Sequence, residues 1–292
     1  MRETLRNWLA KALGLDLSMV WIPDQTMWVA IGFLWAAIAA VVMARRAGLP
    51  LQKVAFGLAA SFVGAIVGSR LLGVVIQAPV WMQDLSILLD PRRAPSVSFG
   101  ALAGGCLAFV LFARRAKVDL WRFADAIVPA AGLGLFFARI GCFVHGCDFG
   151  RITALPWAVR YPADTLPFEA QVKHGFVGRY QLESLPVHPF QLYLGASDLL
   201  IFLLFWFSPK LLAGKRGERA LLAGFLYFSL RFSLEFLRSP YASPVLGLLN
   251  VAQWFALLGL CVLYFVRCRL RATVENAPVA TLERAAVSEA DD

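Results

Sequence analysis

Apolar residues run along this chain in stretches too long and too uniform for a half-buried strand or for the single stripe of a soluble amphipathic helix. A bilayer span takes about 20 mostly apolar residues, and seven stretches approach that length. They cover 27 to 44, 54 to 77, 98 to 113, 121 to 143, 190 to 207, 219 to 237 and 245 to 266, the third being the shortest. The pattern predicts an all-α, polytopic membrane protein in which residues 27 to 271 form one membrane domain without an internal repeat. In the leader, 1 to 26, Leu5, Trp8, Leu9 and Leu13 recur at helical spacing. That spacing suits a helix lying at a membrane surface and equally one in solvent. No apolar core with a small-residue cleavage site follows, so no cleaved signal peptide is expected. From about Ala272 the chain turns polar and acidic, and 272 to 292 reads as a disordered tail.

Composition supports a membrane as solvent: 59% of residues are hydrophobic against 16% charged, well outside the usual balance of a soluble domain. The formal charge of +9 is distributed in short clusters between apolar runs. Arg45, Arg46 and Lys53 follow the first span; Arg114, Arg115 and Lys117 follow the third. Lys210, Lys215, Arg216 and Arg219 follow the fifth, and Arg267, Arg269 and Arg271 follow the seventh. This distribution marks cytoplasmic loops and not a nucleic-acid footprint. Arg92 and Arg93 are the exception on the other side. The amino terminus is therefore expected outside and the carboxyl terminus inside. The segment 144 to 189 becomes an outer arm, broken by Pro156, Pro162, Pro167 and Pro186 and by Gly150, Gly175 and Gly178. It should be loop with short helices or strands, and it is the natural place for a mobile arm.

Arginine inside a span costs about 2.5 to 3.5 kcal/mol on insertion scales, so each needs a partner or a wet cavity. Arg70, Arg139 and Arg231 all lie in spans. Tyr227, Arg231, Glu235 and Arg238 fall on one stripe of a helix, which pairs Arg231 with Glu235 either as a structural ion pair or as part of a site. Arg139 has no acid in its own span except Asp125, about four turns away. Its counter-ion is expected on another helix or as a bound anion, and phospholipid phosphate suits a guanidinium fork. Arg70, among glycines, suits a carbonyl, a snorkelled head group or a site. The glycines at 57, 64, 68, 100, 104, 105, 132, 134 and 141 read as packing residues.

The five cysteines give no disulfide framework. Cys142, His145 and Cys147 form C-x2-H-x-C, which matches no common zinc spacing, and no metal site is predicted. A disulfide between Cys142 and Cys147 is left open. His145 lies near Arg139 at the outer boundary and titrates near neutrality, which suits either proton transfer or a structural role. His174 reads as solvated; His188 heads the fifth span.

The stretch Ala138 to Arg151, ARIGCFVHGCDFGR, resembles the signature of the prolipoprotein diacylglyceryl transferase family, in which Gly-Arg-x-Gly-Asn-Phe-x-Asn-Gly-Glu-x-x-Gly-Arg closes the fourth span. Arg139, Gly141, Phe143, Gly146, Gly150 and Arg151 match it. The stretch 188 to 193, HPFQLY, the Tyr227, Arg231, Glu235 and Arg238 stripe, and Ala252 with Gln253 agree in order and spacing. The resemblance runs from about Trp28 to Val266.

The resemblance implies transfer of a diacylglyceryl group from phosphatidylglycerol to the lipobox cysteine thiol of a prolipoprotein signal peptide, with release of glycerol phosphate, in the bacterial inner membrane. It implies that Arg139 and Arg231 hold the phosphate and stabilise the departing charge. Tyr227, Glu235 and Arg238 would orient them, with Arg70, Gly150, Gln191 and Tyr193 also at the substrate. No cofactor is implied. The partners would be phosphatidylglycerol, the prolipoprotein and surrounding membrane lipids. At several positions the chain departs from the family: Phe99 replaces a histidine, Cys142 and His145 two asparagines, Cys147 a glutamate, Val29 a tyrosine and Leu194 a glutamate. Anion binding is thus retained better than proton transfer. The alternatives are a transferase with His145 as substitute proton acceptor or with a substrate thiol that ionises without a dedicated base, a relative with another acceptor on the same lipid site, and a lipid-binding or transport protein on the same scaffold.

Overall fold

The computed structural model describes residues 25–76, 98–212, 215–241 and 245–275. Helix α1 is Gln25–Arg46, α2 Leu51–Ile76, α3 Ser98–Arg115 and α4 Leu120–Ile127. A 3-10 turn, Val128–Ala130, leads into α5, Ala131–His145. Then come α6, Leu166–Lys173, α7, Phe190–Phe207, and α8, Glu218–Leu234, with a 3-10 turn at Glu235–Leu237. Strands β1, Val245–Leu246, and β2, Leu249–Asn250, form a minimal antiparallel hairpin ahead of α9, Val251–Glu275.

Six helical stretches are long and apolar enough to cross a membrane: Met27–Arg46, Leu51–Val75, Leu120–His145, Phe190–Phe207, Glu218–Leu237 and Val251–Ala272. The chain is a polytopic α-helical membrane protein. The shortest expected span is helical too, as α3. The leader up to residue 24, the link holding Arg92 and Arg93, and the tail beyond 275 lie outside the described residues.

The last span differs at its start, beginning at Val251 and not at 245. A reciprocal capping box sets it. The Gln253 backbone N–H donates to Asn250 Oδ1 at 2.9 Å, and the Asn250 N–H donates to Gln253 Oε1 at 3.0 Å. Two orphan donors are satisfied at once. The preceding residues turn back through Gly247 at φ +69°, a left-handed conformation that glycine adopts without steric cost. At the other end α9 runs through Glu275, past the expected Ala272 boundary.

Among the described residues, those from 37 to 127 make one compact unit, and 25–36 with those from 128 to 275 make another. In the first, α2 and α3 meet backbone to backbone. A Cβ on Gly64 would stand 2.5 Å from the Gly104 carbonyl oxygen, and one on Gly68 would stand 2.3 Å from that of Gly100. Lipid tails provide no hydrophobic drive between helices, so such close approach supplies the packing. Beside it Ala44, Leu49, Val54, Phe123 and Ala126 are buried together. Phe62, Val63, Ile66, Val67, Leu71 and Val75 of α2 are exposed, as expected where lipid is the solvent. Arg70 lies on this helix, half-buried.

In the second unit α5 packs on α7. A Cβ on Gly132 would stand 2.5 Å from the Asp198 carbonyl oxygen, and one on Gly195 would meet Arg139 Cβ at 3.3 Å. The segment 144 to 189 contains α6 and isolated bridges of Ile152 and Val159 to Val187 and of Pro162 to Glu183. Short elements were expected here. Part of the segment is packed, since Val159, Tyr161 and Val187 bury against Phe143 and Val144 of α5.

Candidate active site

Three arginines and three carboxylates meet near the carboxyl ends of α5 and α8 and the first half of α7. Arg231, on α8, reaches Glu235 one turn on, Nη2 to Oε2 at 3.3 Å. Arg238 returns to the same carboxylate, donating from Nη1 to Oε1 at 2.8 Å. Asn250 Nδ2 donates to that oxygen at 3.3 Å. Glu235 is 2% exposed. Burying it is tolerable because two guanidiniums and an amide surround it.

Arg139, on α5, is held more loosely. Its Nη1 is 3.6 Å from Asp148 Oδ2 and its Nε is 3.8 Å from Asp198 Oδ2. Asp148 also accepts from Arg238 Nη2. Arg139 and Arg231 lie within electrostatic reach of each other and of Tyr227. Among the described residues Arg139 Nε, Arg231 Nη1, Asp198 Oδ2 and Glu235 Oε2 are buried without hydrogen-bond partners. Buried guanidinium N–H groups without acceptors are costly, and they are what an anionic ligand would satisfy.

Backbone pairing holds these ends in register. The Gly150 N–H donates to His188 O at 3.2 Å, Arg151 N–H to Leu237 O at 2.9 Å and Ser239 N–H to Phe149 O at 3.0 Å. Any side chain at 150 would collide, since its Cβ would stand 2.6 Å from the His188 carbonyl oxygen and 3.1 Å from that of Leu237. Gly150 is thus where two chain segments close on the signature. Arg151 Nε donates to Arg238 O at 3.3 Å, adding a side-chain tie.

Gln191, fully buried on α7, donates to Cys147 O at 2.7 Å and to Tyr161 Oη at 3.4 Å, with its own Oε1 unpartnered among the described residues. Tyr193 Oη accepts from Trp157 Nε1 at 2.7 Å and lies 3.3 Å from His188 Nδ1. Tyr193 therefore ties the arm to α7. Burial pushes the Tyr161 phenol well above its ordinary value and the His188 imidazole below its own. A cavity of about 280 Å³ opens beside Gly150, Arg151, Gln171 and Tyr241; Arg139 and Arg231 are not in its lining.

Of the residues expected at the site, the structure brings together Arg139, Arg231, Tyr227, Glu235 and Arg238. Gly150 and Gln191 lie in the adjoining framework, and Tyr193 braces it. His145 is exposed at the end of α5 and makes no hydrogen bond or ion pair among the described residues. Six residues separate it from Arg139, about 240° around a helix, so it faces elsewhere. Arg70 belongs to the other compact unit.

Asp148 and Asp198 are the residues that sequence reasoning missed. The signal for Asp198 was present: it is an acid inside an apolar span, on one stripe with Gln191 and Gly195, and the rule applied to arginines covers it too. Asp148 could not be read by spacing, because it acts from a left-handed turn at φ 56° that swings it between two arginines.

The family model described as prolipoprotein diacylglyceryl transferase matches residues 20–268. A phosphatidylglycerol--prolipoprotein diacylglyceryl transferase of Bordetella avium (strain 197N) is 32% identical over 217 residues, covering 72% of this chain and 75% of the relative. That of Clostridium tetani (strain Massachusetts / E88) is 29% identical over 239 residues, covering 82% and 89%. One from Caulobacter sp. (strain K31) reaches 38% over 144 residues, covering 48% and 46%. With the arginine cluster, the signature around it and this match over most of its length, the chain belongs to the prolipoprotein diacylglyceryl transferase family.

Proposed function

We propose that the arginine cluster binds the phosphate of phosphatidylglycerol and that the chain transfers the diacylglyceryl group from this lipid to the lipobox cysteine of a prolipoprotein. The observation that carries this reading is the loosely held Arg139 beside Arg231, each with a buried N–H group lacking an acceptor among the described residues. Three positive and three negative side chains make the cluster nearly neutral, which lowers the cost of keeping it in a membrane. A phosphate entering between Arg139 and Arg231 replaces long, weak contacts with short charge-assisted bonds.

The reaction moves one carbon. The substrate thiolate forms an S–C bond to the terminal glyceryl carbon as that carbon's C–O bond to phosphate breaks, and glycerol phosphate leaves with the electron pair. The arginines meet the charge that develops on the departing oxygen, so they act most strongly in the transition state. A thiol of ordinary pKa, near 8.5, is already a few per cent thiolate at about pH 7. Transfer therefore needs no dedicated base, which agrees with His145 facing away from Arg139 and with Phe99 standing where the family has histidine.

Glu235 and Arg238 orient Arg231, and Asp148 and Asp198 orient Arg139. The membrane is the inner membrane, with seven spans; the basic clusters support an amino terminus and 144 to 189 arm outside and a carboxyl terminus inside. The arm covers the site and admits the signal peptide; lipid enters sideways between helices. Purified protein given phosphatidylglycerol with labelled acyl chains and a lipobox peptide should label the peptide, and a Cys→Ala peptide should stay unlabelled. Lipid bound without any transfer to the thiol would refute the reading.

A further inference from the structure

Two thiols stand at the edge of the arginine cluster in positions the transfer reaction does not use. Cys142 is in the last turn of α5, and Cys147 follows Gly146, whose left-handed φ of 82° ends that helix and folds the chain back. The Cys147 Sγ lies 3.7 Å from the Cys142 carbonyl oxygen, and the Sγ atoms of both, with an Asp148 oxygen, lie within 4.8 Å of one another. Gly141 lets α1 press onto this turn: a Cβ there would stand 3.1 Å from the Gln25 carbonyl oxygen. Gln25 is thereby set over the pair, its Nε2 3.9 Å from Cys142 Sγ and 3.8 Å from Cys147 Sγ. Both cysteines are half-buried. The Gln25 amide is thus a donor aimed at both sulfurs. A cation is disfavoured, because Asp148 is already engaged by Arg139 and Arg238.

We propose that Cys142 and Cys147 form a reversible dithiol–disulfide site whose oxidant is a small-molecule or protein disulfide. The Cys142 thiolate attacks one sulfur of the oxidant RSSR, giving a mixed disulfide at Cys142 and releasing RS⁻. Cys147 then loses its proton and attacks Cys142 Sγ, forming the Cys142–Cys147 bond and releasing the second RS⁻. Two protein thiols are oxidised, one disulfide is reduced to two thiols, and the two protons end on them. The bond closes the turn that presents Asp148 to Arg139 and Arg238, so the redox state is coupled to the geometry of the cluster. The chemistry of the pair does not depend on the proposed orientation; its exposure to an oxidising compartment does.

Trypsin cleaves after Arg139 and Arg151, leaving Cys142 and Cys147 on one peptide and Cys106, Cys261 and Cys268 on others. The full chain in lipid nanodiscs is treated with oxidised glutathione, trapped with an alkylating agent and digested. The expected result is peptide 140–151 two hydrogens lighter and unalkylated, reverting with dithiothreitol, while Cys147→Ser stops at glutathione on Cys142. Alkylation of both cysteines, or an unresolved mixed disulfide in the unsubstituted protein, would overturn the proposal. The same alkylation in intact cells should find the pair oxidised. A pair that oxidises in nanodiscs but is fully reduced in cells counts against the outer placement of the turn, and leaves the transfer reaction and the dithiol site standing.

Discussion

Glu235 is the residue on which the cluster turns. It serves Arg231, Arg238 and Asn250 at once from a fully buried position. Removing one partner of a buried pair costs about 3 to 5 kcal/mol, since the remaining charges stay buried. Glu235→Ala should therefore lower stability by about that amount in thermal unfolding in detergent; a loss below about 1 kcal/mol would show that Glu235 is not the shared counter-ion. Asp198→Asn keeps the shape and removes the charge opposite Arg139. It should slow transfer about tenfold, as changes to supporting residues do, with folding intact by the same unfolding assay.

Tyr161 supplies a pH dependence. Burial holds its phenol well above the ordinary value of 10.0, and the Gln191 hydrogen bond only partly opposes that. The unfolded chain ionises near the ordinary value and the folded one does not. Stability from this group is thus fully present below about pH 10 and is lost as pH rises through the folded value. Tyr161→Phe should flatten the alkaline limb of the stability profile, measured by unfolding midpoints across pH.

At the level of elements, the apolar runs located most of the helices, because length and uniform hydrophobicity leave a membrane-spanning chain little choice of structure. What escaped was set by polar side chains acting on the backbone. The start of α9 was misplaced because Asn250 and Gln253 cap it, although N-x-x-Q before an apolar run is a legible signal. Asn250→Ala should cost about 1 kcal/mol from the cap, and also loosen Glu235. Circular dichroism with thermal unfolding checks this, and an unchanged midpoint would contradict it. The glycines of α2 and α3 read correctly as packing residues, and their geometry gives them a consequence. Gly68→Leu places a side chain where the Gly100 carbonyl stands 2.3 Å from the Cβ site; it should part the helices and markedly raise proteolysis between them, whereas Leu71→Ala, at an exposed position, should not.

For the whole molecule, the sequence carried the class of protein and the arginines of the cluster, because charges in spans are rare enough to be read singly. It did not carry the partners of Arg139. One of them, Asp148, depends on a left-handed turn, and the other, Asp198, on α5 and α7 meeting at Gly132 and Gly195. His145 looked near to Arg139 along the chain, but the helix turns it away.

In the proposed reaction Arg139 and Arg231 act together on the phosphate. The decisive measurement is release of labelled glycerol phosphate from head-group-labelled phosphatidylglycerol, with a lipobox peptide present, comparing Arg139→Ala, Arg231→Ala and the double variant with the unsubstituted chain. Each single change should lower kcat on the order of 10²-fold or more, as loss of a charge-stabilising donor does. The double change should cost much less than the product of the two, because the pair works as a unit. Release at near-native rate in either folded single variant would contradict the phosphate clamp.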